Sequence, residues 1–250
     1  MMHFFHMFHH SRRPAVGAWT GMIVLLLTLV AAAGFAAGSS EPMTPPEKTA
    51  AADEMPAKAQ ASAEGMKSSE GGTETAVLAG GCFWGMEAVF EQLAGVRDVV
   101  SGYSGGQADT ATYQTVSSGR TGHAESVRIV FDPEIISFET LLGVFFNVAH
   151  DPTELNFQGP DVGTQYRSVI FYANDQQKQI ADRIIEKLDA EGAFGKPIVT
   201  QVVPLTEFYP AEDYHQDFMR RHPGHPYIVY WDLPKIKHLE KAYPELLKEQ

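Results

Sequence analysis

The sequence predicts an α+β domain with a ferredoxin-like split βαβ core: a mixed sheet with helices on one face and extensions at its C-terminal end. Three observations predict it. The apolar run Ala76-Val77-Leu78-Ala79 is broken by Gly80-Gly81, and Phe83, Met86, Phe90 and Leu93 then recur at helical spacing. Glu125–Phe131 alternates, with Val127, Ile129 and Phe131 on one face and Ser126, Arg128 and Val130 on the other. The order strand-helix-strand occurs twice between Thr75 and Tyr172, which is the split βαβ pattern. Two helices can then pack on the same side of one sheet.

In chain order, Arg12-Arg13 precede an apolar run, Met22–Val30, and small residues follow through Ala37. Charged, apolar and small-residue regions in that order make a signal peptide, or an uncleaved membrane anchor, since the run is near spanning length. Residues 1–37 are therefore expected to direct export, with the domain periplasmic or tethered facing outward. His3, His6, His9 and His10 fall in this segment and are given no metal role. Residues 38–73 contain no aromatic residue and are dominated by Ala, Pro, Glu, Ser, Gly and Lys. Such a stretch cannot bury enough apolar surface to offset the entropy of ordering it, so it reads as a disordered linker.

The folded part occupies residues 74–250. A strand at Thr75–Ala79 leads into a helix at Cys82–Leu93, and a second strand spans Val96–Tyr103. An irregular stretch then runs through Gly119 to the strand at Glu125–Phe131, which Asp132-Pro133 ends. Ser137 caps a helix to Val148 whose apolar face is Leu141, Leu142, Phe145 and Phe146. His150–Gly163 is too rich in Pro, Gly and polar residues to be an element. Tyr166–Tyr172 reads as a strand, Asp175 as the cap of a helix to Glu191, and Val199–Pro204 as a strand. Two further helices are expected near Ala211–Arg221 and Pro234–Glu249.

There are 31 acidic and 19 basic residues, a net charge of −12, which argues against nucleic acid as a partner. One cysteine excludes an internal disulfide, a CxxC pair and a cysteine-rich zinc site. That residue, Cys82, lies where a strand turns into a helix. Unpaired N–H groups and the dipole at a helix N-terminus favour thiolate, although a lone cysteine can equally be an inert buried thiol. Three stretches could supply partners: Ala111–Ser118 with Tyr113, Gly119–Val127 with His123 and Glu125, and Asp161–Arg167 with Asp161, Gln165 and Tyr166. Taken singly they have ordinary readings as a core tyrosine, a strand-end charge and a turn cap. Glu212, Asp213 and His215 read as an acid-rich helix start with a capping histidine, and His222 and His225 as part of a surface loop.

The ordered motifs make the chain recognisable. Gly81-Cys82-Phe83-Trp84-Gly85 resembles the active-site motif of type A peptide methionine sulfoxide reductases. The likeness continues through Gly102-Tyr103-Ser104-Gly105-Gly106, Thr112-Tyr113, Thr121-Gly122-His123-Ala124-Glu125 and His150-Asp151-Pro152-Thr153. It extends to Asp161-Val162-Gly163-Thr164-Gln165-Tyr166-Arg167-Ser168 and Tyr209-Pro210-Ala211-Glu212-Asp213-Tyr214-His215-Gln216. The resemblance implies that residues 74–250 form a catalytic domain. Cys82 would attack the sulfur of a methionine S-sulfoxide, free or in a protein, and Glu125, buried and with a raised pKa, would protonate the departing oxygen. Tyr113, Tyr166 and Asp161 would hold that oxygen or its water, and Phe83 and Trp84 would form the pocket for the S-methyl group. Cys82 would be left as sulfenic acid. Many members carry resolving cysteines near the C-terminus, and this chain has none. Its expected reductant is an external thiol: thioredoxin, glutaredoxin with glutathione, or another dithiol donor. No bound cofactor or metal is expected, and a monomer is. The aromatics from Tyr227 to Trp231 read as packing against the domain. A single-cysteine peroxidase, a Cys-His hydrolase using His123, His150 or His215, and an inactive binding module are the competing readings.

Overall fold

A computed structural model describes residues 72–249. The leader expected over 1–37 and the linker over 38–73, apart from Gly72 and Thr73, lie outside the described residues.

The elements follow in order as β1 (Glu74–Ala79), α1 (Phe83–Glu91), β2 (Val96–Ser104), the short α2 (Tyr113–Val116), β3 (Ala124–Phe131) and α3 (Phe138–Val144). Then come β4 (Phe157–Gln158), β5 (Asp161–Val162), β6 (Val169–Tyr172), α4 (Asp175–Ala190), β7 (Gln201–Pro204), β8 (Phe208–Pro210), α5 (Phe218–Arg221) and α6 (Leu233–Ala242). The main sheet has the order β7-β6-β1-β3-β2-β8. Its centre, β6-β1-β3-β2, is the split βαβ arrangement: β3 inserts between β1 and β2, and every pair in it is antiparallel. β7 runs parallel to β6 and β8 antiparallel to β2, so both edges are extended.

The alternation of β3 divides the two faces as its sequence predicts. Val127, Ile129 and Phe131, with Ala76 and Leu78 of β1, pack against Phe90 and Leu93 near α1, Leu141 and Leu142 of α3, Ala181 of α4 and Leu239 of α6. The opposite face buries only Val77, Ala79, Ala124, Val169 and Phe171 beneath Val203, Leu205 and Phe208. At about 1.5–3 kcal/mol for each large apolar side chain fully buried, the helical face dominates the apolar stabilisation. Ser137 accepts from Thr140 N and caps α3, as expected, and the helix continues as a widened turn over Phe145–Ala149.

Several expectations are corrected. The cap of α4 is Asn174, not Asp175: Asn174 is extended and its side chain accepts from Gln177 N at 2.9 Å, while Asp175 sits in the first turn facing the positive dipole end. Tyr166 is outside the strand, because Gly163 at φ 144° opens a 3₁₀ turn over Thr164–Tyr166. The loop His150–Gly163 includes the β4–β5 hairpin, which its composition conceals. Residues 211–217 are not helical. Glu212, His215 and Gln216 spend their polar groups on β2, α1 and α2, and Asp217 turns left-handed at φ 53°, so only α5 remains. The last helix stops at Ala242, where Pro244 disfavours a helical Tyr243. The chain then returns to pair Leu247 with Leu93.

Candidate active site

Gly81, at φ 96°, ends the β1 exit, and Cys82 takes the N-cap position of α1 with only 8% of its surface exposed. The helix N-terminus does act on it, since the Trp84 N–H favours thiolate, although the side chain makes no capping hydrogen bond. Other forces win. Burial pushes the thiol well above its ordinary value, and the carboxyls of Glu125, Asp232 and Asp161 push it further. The thiolate bias expected from the helix start is therefore overturned: the resting group is a thiol.

Glu125 enters from the second position of β3, opposite Tyr103 of β2. It is 2% exposed, and its Oε2 accepts from the Phe83 N–H at 3.1 Å. Desolvation raises its pKa to about 8, with Asp161 adding to the shift and the Phe83 N–H opposing it. At neutral pH the carboxyl is therefore mostly protonated. Since Oε2 is occupied as an acceptor, the proton belongs on Oε1. Acid and thiol thus share one helix start, Cys82 as its cap and Glu125 on its first amide.

Tyr113, Tyr166 and Asp161 come to the same place from three connections. Both tyrosine hydroxyls lie within electrostatic reach of Glu125, Cys82 and Asp161, and burial first, then these groups, raise their pKa values. Asp161, on β5, accepts a short hydrogen bond from the Tyr227 hydroxyl. Burial raises its pKa, while Tyr227 and Lys235 hold it down. The surrounding motif residues fix these loops. Arg167 donates to the carbonyls of Gly122, His123 and Thr164 at 2.8–3.0 Å, Thr164 Oγ1 to Gly119 O at 2.7 Å, and Gln165 Nε2 to Ser117 O at 3.3 Å. The segment bearing Asp161 and Tyr166 is thereby tied to those bearing Tyr113 and Glu125.

Phe83 is buried beside His215, with ring centroids 5.0 Å apart. Trp84 stacks on Phe218 at 3.7 Å, meets Tyr227 edge-on and donates from Nε1 to His215 Nδ1 at 3.1 Å. His215, expected as a surface cap, is instead 2% exposed and packs on Tyr113 at 4.5 Å. Glu212 accepts from the Tyr113 N–H and the Tyr103 hydroxyl, both at 2.9 Å, and so fixes the start of α2. The sequence signal for these two was their place in a dense polar-aromatic cluster, which composition alone could not separate from an exposed helix start. Tyr227 is also more than packing, as its bond to Asp161 shows.

The other histidines are occupied elsewhere. His123 Nδ1 accepts from Gly106 N and its Nε2 faces Gln107 O, while His150 lies between Phe145 O and Ser168 Oγ and is driven by burial to about 4, hence neutral. Neither is a base for Cys82. No cluster of three or more metal-ligating side chains occurs among the described residues.

A split βαβ domain with a buried thiol at a helix start and a neutral buried acid is a framework for thiol redox chemistry, and comparison with known proteins identifies which. The model of the family described as peptide methionine sulfoxide reductase matches residues 74–246, and the chain belongs to that family. Among its relatives, peptide methionine sulfoxide reductase MsrA 2 of Mesorhizobium japonicum is 56% identical over 179 residues, covering 72% of this chain and 92% of that protein. The MsrA 2 of a Synechocystis species is 54% identical over 179 residues, covering 72% and 84%. Reduced Mxr1 from Saccharomyces cerevisiae superposes with a TM-score of 0.56 at 33% identity, over 61% of this chain and 87% of that one. Methionine sulfoxide reductase A of Corynebacterium diphtheriae gives 0.54 at 39% identity, over 62% and 77%. The protein is thus a methionine sulfoxide reductase of the MsrA type, an oxidoreductase of protein repair.

Proposed function

We propose that the domain reduces the S-epimer of methionine sulfoxide, free or in proteins, through a Cys82 sulfenic acid, with Glu125 as proton donor. The observation that carries this is the pairing of a buried thiol at the N-cap position of α1 with a carboxyl kept protonated to about pH 8 on the adjacent amide. Because Glu125 raises the thiol when it is ionised, the site resists carrying both negative charges. Glu125 gives its proton to the sulfoxide oxygen as Sγ attacks sulfur, and it regains a proton from the thiol as the new bond forms. The S–O bond and the newly formed Sγ–S bond then break as the hydroxyl passes to Sγ, so methionine leaves as the thioether and Cys82 is left as S–OH. The substrate sulfur gains two electrons and the cysteine loses two. Tyr113, Tyr166 and Asp161 are suited to hold the oxygen, and Phe83 and Trp84 to receive the methyl group.

Regeneration takes two external thiols. The first attacks the sulfenic acid, releasing water and leaving a mixed disulfide. The second displaces Cys82 as thiol and leaves as the donor's disulfide. Thioredoxin, glutaredoxin with glutathione, or another dithiol protein fits this chemistry. The order of the first 37 residues supports export. The test is stoichiometric: reduced protein, each sulfoxide epimer and no reductant. One methionine per Cys82 from the S-epimer alone is expected, and none from either epimer overturns the reading.

A further inference from the structure

Gly85, in the first turn of α1, has no room for a side chain. A Cβ there would overlap Asp232 Oδ1 and lie 3.0 Å from Lys235 Nζ. The C-terminal segment therefore seats an ion pair in a notch one helical turn from Cys82. Asp232 is fully buried, and neither of its carboxylate oxygens receives a well-directed hydrogen bond. Its compensation is Lys235 Nζ, 3.3 Å from Oδ1 and still 24% exposed. A buried carboxylate so poorly satisfied costs stability, and a well-packed apolar residue would cost less.

We infer that the Asp232–Lys235 pair is a positioning pair for Cys82: it docks the C-terminal segment on the first turn of the cysteine helix and sets the charge that the thiol feels. The segment is held at two further points, Tyr227 on Asp161 and Trp231 against Gly159. The thiol is faced by Glu125 from β3, Asp161 from β5, Tyr113 from α2, Tyr166 from the 3₁₀ turn and Tyr227 from the C-terminal segment. Asp232 adds its negative charge to those of Glu125 and Asp161, and Lys235 is the cation paired with it. Asp232 itself faces Lys235, Asp161 and the thiol. Asp232 adds to the burial and the other carboxyls that keep the resting cysteine protonated, and so a poor target for adventitious oxidants that attack thiolate.

The inference rests on Cys82 being the nucleophile, but its test does not use the reduction reaction. The alkylation rate of Cys82 by iodoacetamide is followed against pH in the full chain, without sulfoxide. Asp232→Asn should move the inflection to lower pH by about 0.5–1 unit, the scale of one charge acting through a partly hydrated protein medium. Lys235→Met, which keeps the carboxylate and removes its partner, should move it to higher pH. Opposite shifts support the pair. No shift in Lys235→Met, or shifts of the same sign, overturn it, and because Lys235 is partly exposed that arm stands even where Asp232→Asn fails to fold. A thiol that titrates as expected in a protein inactive on sulfoxides would count against the proposed reaction alone.

Discussion

Glu125 concentrates the chemistry of the site in one proton. Its pKa of about 8 means the acid form is present at neutral pH and is lost as pH rises through that value. The single-turnover rate of methionine formation should therefore fall on the alkaline side of about pH 8. Glu125→Gln should lower that rate by roughly 10²–10⁴, the usual worth of a positioned general acid, and should remove this limb. A variant with unchanged rate and pH profile would exclude the acid role. Cys82→Ser should abolish turnover while leaving the thermal midpoint close to that of the parent, and residual reduction of the S-epimer would exclude the nucleophile. These residues were legible because each lies in a short ordered motif. Asp232 and Lys235 were not, since their meaning depends on a glycine far away in sequence whose missing Cβ makes their space. The thiolate that a helix start predicts for Cys82 fails for a related reason. The helix start is local and visible in the sequence, whereas the burial and three carboxyls that overrule it are tertiary.

Among the elements, α1 carries a second proton-dependent contact. Glu87 is 2% exposed and accepts from the Asp217 N–H at 2.9 Å, joining α1 to the segment that holds His215. Burial, with Glu91 next, raises its pKa to about 8, and burial with Asp217 raises Glu91 to about 7. The folded state keeps these protons where the unfolded chain, near 4.5, has lost them. Stability should therefore decline as pH rises from about 4.5 toward 8. Glu87→Gln, which still accepts from Asp217 N, should flatten that decline, raising the thermal midpoint at pH 8 and changing it little at pH 4.5. At the other end of the sheet, Asn174→Ala should cost about 1 kcal/mol in denaturant unfolding by uncapping α4. Periodic elements such as β3 and α3 were legible because hydrophobic alternation and a capping serine are local signals. β8 and the 211–217 segment were not. The first is three residues long and half-buried, and in the second, side-chain bonds to distant elements displace the helix that its composition favours.

At the scale of the whole molecule, the sheet sets the geometry of the reaction. β1 lies between β3 and β6, so its exit, where Cys82 begins α1, is flanked by the mouths of both partners, and connections from either half of the split βαβ meet there. If residues 1–37 direct export, the full chain should fractionate outside the cytoplasm and a chain lacking them should not. A cytoplasmic full-length product would exclude that reading. The central strand order also bears on how the protein is made. β1 is synthesised first but finds neither neighbour until β3 and β6 have followed, and the wall built from Tyr227, Asp232 and Lys235 arrives later still. A chain halted before Tyr227 thus carries every strand of the main sheet but lacks the residues that wall its thiol. Residues 227–248 close the reactive centre after the sheet strands, and their ties to the α1–β2 turn, Ala94 N to Leu246 O and Lys248 N to Gln92 O, latch the segment. Removal of that segment should therefore show itself as a faster irreversible oxidation of Cys82.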